Sequence, residues 1–354
     1  MKRRQALQLI VAGTSASLLR ATSTNGHEEP RNTGLGLVTY CCQFRRRILA
    51  KATPPVDLSE PRAFLAHCKS LGAGGMQIRL GVMNGSDSLE LRKQAETNNQ
   101  YIEAIVSVPQ DRSKTGRFEA EIKTAAAVGA KAVRTTIIPG RRYEYFESLE
   151  MFRKFEARGR KALELAAPIV ERHRVPLAVE NHKDHRKGPR VALFEHISSE
   201  FVGACVDTGN SFALLEDPVE TTKALAPWAH SVHLKDQAVQ MVDDGFLLGD
   251  IPLGQGFIDL KKIVKILQAA KPQIHFSLEL ITRDPLKIPV LKDSYWRTFP
   301  DLPARDLART LNTVRAGATD NLQYISRMTA EQQVTREDAN VRQSLDYARD
   351  VLRL

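Results

Sequence analysis

An α/β fold, an eight-stranded (β/α)8 barrel, is what this sequence predicts, and three observations predict it. From Gly34 onward short β-type runs alternate with longer helical ones, the pattern of repeated βα units around a parallel sheet. The alternation covers a stretch close to the roughly 250 residues such a barrel uses. Four successive runs then end in side chains that a buried strand has no use for: Pro-Leu-Ala-Val-Glu-Asn-His at 176–182, Gly-Ala-Cys-Val-Asp at 203–207, Ser-Val-His-Leu-Lys-Asp at 231–236 and His-Phe-Ser-Leu-Glu at 275–279. An unpaired buried charge is costly, so strands that end this way stop at the rim of a cleft.

In chain order, strands are expected at 36–40, 75–80, 102–108, 132–137, 176–182, 201–207, 230–236 and 274–280. The helix at 57–71 places Phe64, Leu65, Cys68 and Leu71 on one face. Further helices fall at 88–99, 118–128 (closed by Gly129), 146–173, 191–197, 218–226 and 257–270. In the last of these Ile258, Leu260, Ile263, Ile266 and Leu267 keep helical spacing. A longer insertion containing Gly254 and Gly256 separates the seventh strand from that helix, and the two glycines shape the loop entering it. The barrel is taken to occupy 34–290, with a C-terminal helical extension over 291–354. There Asp301-Leu-Pro303 reads as a helix start, and Thr335-Arg-Glu-Asp338 resembles a capping box ahead of an apolar stripe of Val341, Leu345, Ala348 and Leu352.

Composition bounds the rest. With 42% apolar and 26% charged residues among 354, the chain is of the soluble globular class, and 6% aromatics imply an aliphatic core. Cys41, Cys42, Cys68 and Cys205 have no metal-site spacing and read as thiols. The net charge of +10 includes Lys2, Arg3, Arg4 and Arg20, which sit in a segment expected to be removed. Without them +6 remains, spread along the chain as a solvated basic surface rather than a nucleic-acid footprint. That segment, 1–24, joins a basic start to an uncharged run from Gln5 to Leu19 and resembles a twin-arginine export signal. Export to the periplasm or beyond is the expectation, with no membrane attachment once the signal is removed.

Side chains alternate along a strand. Glu180 and His182 therefore share a side with Ala178, Asp207 with Cys205 and Gly203, His233 and Lys235 with Ser231, and Glu279 with Ser277 and His275. The opposite faces carry Leu177, Val179, Ala204, Val206, Val232, Leu234, Phe276 and Leu278. Small and polar residues thus face the barrel axis and aliphatics the helices. Glu180, Asp207, His233 and Glu279 meet at the C-terminal mouth, where barrel active sites are built. Three carboxylates this close repel, and a divalent cation resolves the repulsion with an O/N ligand set it favours.

The motifs Val179-Glu-Asn-His182, Val206-Asp-Thr-Gly-Asn210, Val232-His-Leu-Lys-Asp236, Pro252-Leu-Gly-Gln-Gly256 and Leu278-Glu279 resemble the sugar phosphate isomerase/epimerase superfamily. This is the xylose isomerase-like TIM barrel group, which includes ketose 3-epimerases, hydroxypyruvate isomerase, inosose dehydratase and endonuclease IV. The resemblance implies one divalent metal ion, commonly manganese, magnesium, cobalt or zinc, on Glu180, Asp207, His233 and Glu279, with Glu180 and Glu279 as acid and base. The sugar epimerases often carry a histidine where Asn210 stands. No Asp-x-His pair follows the seventh strand, so the three-zinc site of the nuclease cannot be assembled here, and nucleic acid is not an expected partner.

Such a site suits an isomerase or epimerase acting on a sugar or polyol-derived keto compound through an enediolate. A dehydratase or other lyase, and a metal-dependent carbohydrate-binding protein without turnover, are the alternatives. His182, Lys235, Arg134, Gln77 and Arg283 are the candidates for substrate contact, and a homo-oligomer is left open.

Overall fold

The structure, a computed structural model, describes residues 32–319 and 322–354. The export segment expected at 1–24 lies outside the described residues. Among the described residues eleven strands follow in chain order: β1 (Gly36–Val38), β2 (Gly75–Ile78), β3 (Tyr101–Ile105), β4 (Val133–Thr135), β5 (Leu177–Glu180), β6 (Val202–Asp207), β7 (Ala229–Leu234), β8 (Asp236–Val242), β9 (Gly245–Ile251), β10 (Phe276–Leu278) and β11 (Leu286–Ile288). β1 to β7 and β10 close into an eight-stranded parallel barrel in the order β1-β10-β7-β6-β5-β4-β3-β2.

Leu177, Val179, Val206, Val232, Leu234, Phe276 and Leu278 pack outward in one aliphatic cluster with the surrounding helices. Inside, Ala132, Ala178 and Cys205 form a small cluster of their own, as the alternation requires. All four cysteines are free and buried. The lower end of the barrel is filled by Tyr101, whose hydroxyl donates to Phe276 O at 2.5 Å and lies 2.9 Å from Ser277 Oγ. Gly36 and Gly75 are glycines because a Cβ at either would collide with the Tyr101 side chain.

The expected insertion follows β7, and one expectation, the position of the capping box, needs correction. β8 and β9 pair as an antiparallel hairpin, which β11 extends to a three-stranded sheet. In the extension the capping box is formed by Thr329 and Gln332 and opens the helix Ala330–Tyr347. Thr335 is already inside that helix, with its hydroxyl bonded to Glu331 O. The stripe of Val341, Leu345, Ala348 and Leu352 is buried in the main cluster. Glu337 on the same helix accepts the backbone N–H groups of Phe44 and Arg45 just after β1.

Candidate metal centre

β5 and β6 end on Glu180 and Asp207, β7 presents His233 one residue before its end, and Glu279 follows β10. Register sets Asp207 level with His233, while Glu180 pairs with Cys205 and His233 with Ser277, so the two glutamates stand one inward position off and reach the same point with their longer side chains. Glu180, Asp207, His233 and Glu279 are all buried, and one donor atom from each lies within 4.8 Å of the others. His233 Nδ1 stands 3.5 Å from Glu279 Oε2, 3.6 Å from Glu180 Oε2 and 4.0 Å from Asp207 Oδ2. Donors bound at about 2.0–2.2 Å from one ion are roughly 3–4.4 Å apart, so these separations fit a shared ion. Among the described residues His233 Nδ1 and Asp207 Oδ2 have no hydrogen-bond partner. Buried polar atoms are seldom left so, and the pair of them supplies one nitrogen and one oxygen donor to the same point.

The remaining polar atoms of the cluster are tied down. Asp207 Oδ1 accepts the backbone N–H groups of Gly209 at 2.9 Å and Asn210 at 2.7 Å, which leaves Oδ2 to face inward. Asn181 bonds in both directions with the Asp207 backbone, at 2.9 and 2.8 Å, and so staples β5 to β6 beyond their ladder. Glu180 Oε1 accepts from Asn210 Nδ2 at 3.0 Å, and its Oε2 takes the Arg134 guanidinium. Lys235 Nζ bridges Glu279 Oε2 at 2.8 Å and Asp207 Oδ2 at 3.2 Å.

Beneath the cluster runs a second set of bonds. The Glu103 carboxylate accepts from Gln77 Nε2 and Ser231 Oγ, each at 2.7 Å. That turns the amide oxygen of Gln77 toward His233 Nε2, 2.8 Å away. An amide oxygen only accepts, so the imidazole carries its proton on Nε2 and keeps the Nδ1 lone pair free when neutral. Support of this kind orients a ligating histidine and fixes its tautomer.

Electrostatics follow from burial and close charges. Burial pushes the Glu180 carboxyl up, but Arg134 overrides it and holds the group below its ordinary value. Burial acts on Glu279 in the same way and is overcome by Lys235 and His233, leaving it well below the usual range. Asp207 is pushed up to about 6, by burial first and then by Glu279 and Glu180, against the pull of Lys235. For His233 burial opposes protonation, yet Cys205, Glu279 and Glu180 raise it well above its ordinary value. Without an ion, then, a proton is drawn to the centre, as expected of a site built for positive charge.

The residues expected to contact substrate fall into different places. His182 borders the cluster, with Nδ1 buried and without a partner among the described residues, and burial lowers its pKa. Arg134 and Lys235 are inside the cluster as the counter-charges of Glu180, Asp207 and Glu279. Gln77 lies below the mouth, fully buried against His233 and Glu103. Arg283 stands on the rim, paired with Asp250 of β9 at 3.0 Å. Glu103, Asp250 and Lys183 also belong to the site and were not anticipated. Glu103 did have a signal, a lone carboxylate inside the run Tyr-Ile-Glu-Ala-Ile at an inward position.

The model of the family described as xylose isomerase-like TIM barrel matches residues 65–312. The chain belongs to that family. The solved D-psicose 3-epimerase of Clostridium cellulolyticum H10 with D-tagatose is similar at 12% identity and a TM-score of 0.53, over 82% of this chain and 93% of that one. An L-ribulose 3-epimerase structure is similar at 14% identity and 0.51, over 89% and 95%. A xylose isomerase-like TIM barrel protein of Mycobacterium smegmatis in complex with magnesium is similar at 14% and 0.50, over 81% and 98%. At such identities the likeness is one of fold. A curated relative, the 3-oxo-isoapionate decarboxylase of Pectobacterium atrosepticum, is 26% identical over 119 residues, 33% of this chain and 43% of that protein's length. As a member of the family the chain carries at its barrel mouth a buried Glu/Asp/His/Glu group able to hold a metal ion.

Proposed function

We propose that this protein is a divalent-metal-dependent isomerase or epimerase acting on a sugar or polyol-derived keto compound, with Glu180, Asp207, His233 and Glu279 as ligands. The observation that carries the reading is the convergence of these four buried donors, with His233 Nδ1 free of any hydrogen bond among the described residues and Asp207 Oδ2 held only by the Lys235 ion pair. A divalent ion held by these four residues would polarise a substrate carbonyl and so acidify the proton on the adjacent carbon. Glu180 and Glu279, on β5 and after β10, are both held ionised and so can take that proton. Arg134 and Lys235 fix the orientation of the two carboxylates. Return of the proton by the same carboxylate to the neighbouring carbon gives isomerisation, and delivery from the opposite side gives epimerisation. His182, whose Nδ1 has no hydrogen-bond partner among the described residues and whose pKa burial lowers, is the residue we assign to bonding a substrate hydroxyl.

Incubation with D-fructose and D-tagatose in D2O with Mn2+, followed by NMR, tests this. Exchange at a carbon beside the carbonyl is expected, and Glu180→Gln and Glu279→Gln should each lower its rate by at least about 100-fold. Full activity in both variants removes them as the acid–base pair. The local likeness to a decarboxylase favours a second reading, a lyase on the same scaffold. Loss of water or carbon dioxide without returned deuterium would identify it. We also propose that 1–24 directs export, and the mass of the mature protein recovered from its own compartment checks this.

A further inference from the structure

Among the buried charges around the centre, Lys183 is the one without an acid. It lies three residues beyond Glu180, 3% exposed, in the left-handed backbone region at φ 55°, a conformation that a side-chain-bearing residue rarely adopts. Its carbonyl accepts the N–H of Arg142 at 2.9 Å, and its ammonium bonds the amide oxygen of Asn210. No carboxylate among the described residues pairs with its Nζ. A buried ammonium answered only by a neutral amide is unfavourable, since burial penalises the charge and an amide dipole does not replace a counter-ion.

The surroundings make the surplus larger. Lys183 feels Lys235 and Arg283 as like charges and Asp207 and Asp250 as opposite ones. Asp250 is shared by Lys235, Arg283 and Lys183, and it is already bound by Arg283 at 3.0 Å and Gln237 at 3.0 Å. Arg134, Lys183, Lys235 and Arg283 stand against Glu180, Asp207, Glu279, Asp250 and, one layer below, Glu103, so with no ion the carboxylates exceed the cationic side chains by one, and a proton is drawn in. A divalent ion in place of that proton leaves one positive charge in surplus. Low-dielectric surroundings do not tolerate that surplus without an anion.

We propose that the substrate of this site carries a carboxylate or another fixed negative group, and that Lys183, steadied by Asn210 and backed by Arg283 at the rim, is the residue that selects it over a neutral ketose. The proposal rests on the metal-dependent reading above and narrows its substrate to acidic keto sugars. Lys183 binds and positions the anionic group. It takes no part in moving the proton.

The probes are 2-keto-D-gluconate and D-fructose, which differ in whether C1 is a carboxylate or a hydroxymethyl group. They are titrated calorimetrically into the full-length protein, with and without Mn2+, beside K183M and K183Q. In the wild type with Mn2+ the keto acid is expected to bind at least about tenfold tighter than the ketose, and both variants to lose that preference. Mn2+ affinity itself, measured in a separate titration, should change less than about threefold. Removal of an uncompensated buried charge should also leave the melting temperature of ligand-free K183M unchanged or higher. A merely structural lysine would instead give a lower melting temperature and an intact preference. Equal binding of the two probes, no binding of the acid at millimolar concentration, or a preference surviving in both variants overturns the proposal. Failure of the metal-dependent reading shows separately, as absence of Mn2+ uptake.

Discussion

His233 depends on atoms it shares with no ligand. Its Nε2 rests on Gln77, and Gln77 is turned by Glu103 and Ser231. Gln77→Leu should therefore weaken Mn2+ binding by about 10–100-fold while the barrel stays folded, read by calorimetry and circular dichroism together. Acidity enters through the ligands themselves. Asp207 has its pKa pushed up to about 6 and must lose its proton to bind an ion. Mn2+ affinity should fall as pH drops through that value, by about tenfold per unit for each proton displaced, and His233, whose proton is held above its ordinary range, extends the dependence to higher pH. A flat affinity between pH 7 and pH 5 would contradict the assignment of Asp207. The four residues that converge at the barrel mouth were legible in the sequence because each stands at or near the end of a strand-like run with the wrong chemistry for a core. Lys183 was not, since it looks like an ordinary loop lysine until the left-handed turn carries it inward. Glu103 was overlooked despite being a lone carboxylate in an apolar run, because it lies inside β3 and not at a strand end.

At the scale of elements, the barrel strands were legible through their alternation and their terminal polar residues. The hairpin of β8 and β9 was not, although Val242-Asp-Asp-Gly-Phe246 contains an Asp-Gly turn signal between alternating runs. Its polar face carries Gln237 and Asp250, so it read as an insertion rather than as a sheet that walls the site. The capping box was displaced by one helical turn and a half because two Ser/Thr-x-x-acid/amide patterns occur in succession, and the first one to be free of the preceding segment starts the helix. Thr329→Ala should cost about 1 kcal/mol in urea unfolding, and Thr335→Ala a smaller amount. The barrel floor gives a stronger expectation. Gly75→Ala drives a methyl into the Tyr101 ring and should destabilise the protein by about 1–3 kcal/mol.

Across the whole molecule, the last helix closes the barrel rather than hanging from it. Val341, Leu345, Ala348 and Leu352 are part of the main core, Glu337 is bonded to the turn after β1, and Thr33 Oγ1 donates to Leu354 O at 2.8 Å. Deleting residues 329–354 should expose that stripe and remove a large share of a stability that for such domains is only about 5–15 kcal/mol. Loss of soluble folded protein, followed by gel filtration and thermal melting, is the expected result. The architecture thus brings the charges of distant strands to one mouth and seals the far end with Tyr101. Whether that mouth holds an ion is decided by calorimetric titration of purified full-length protein with Mn2+. One ion per chain, with binding abolished in Asp207→Asn and Glu279→Gln, is the predicted outcome. Absence of uptake by the folded protein, or uptake unchanged in both variants, would contradict it.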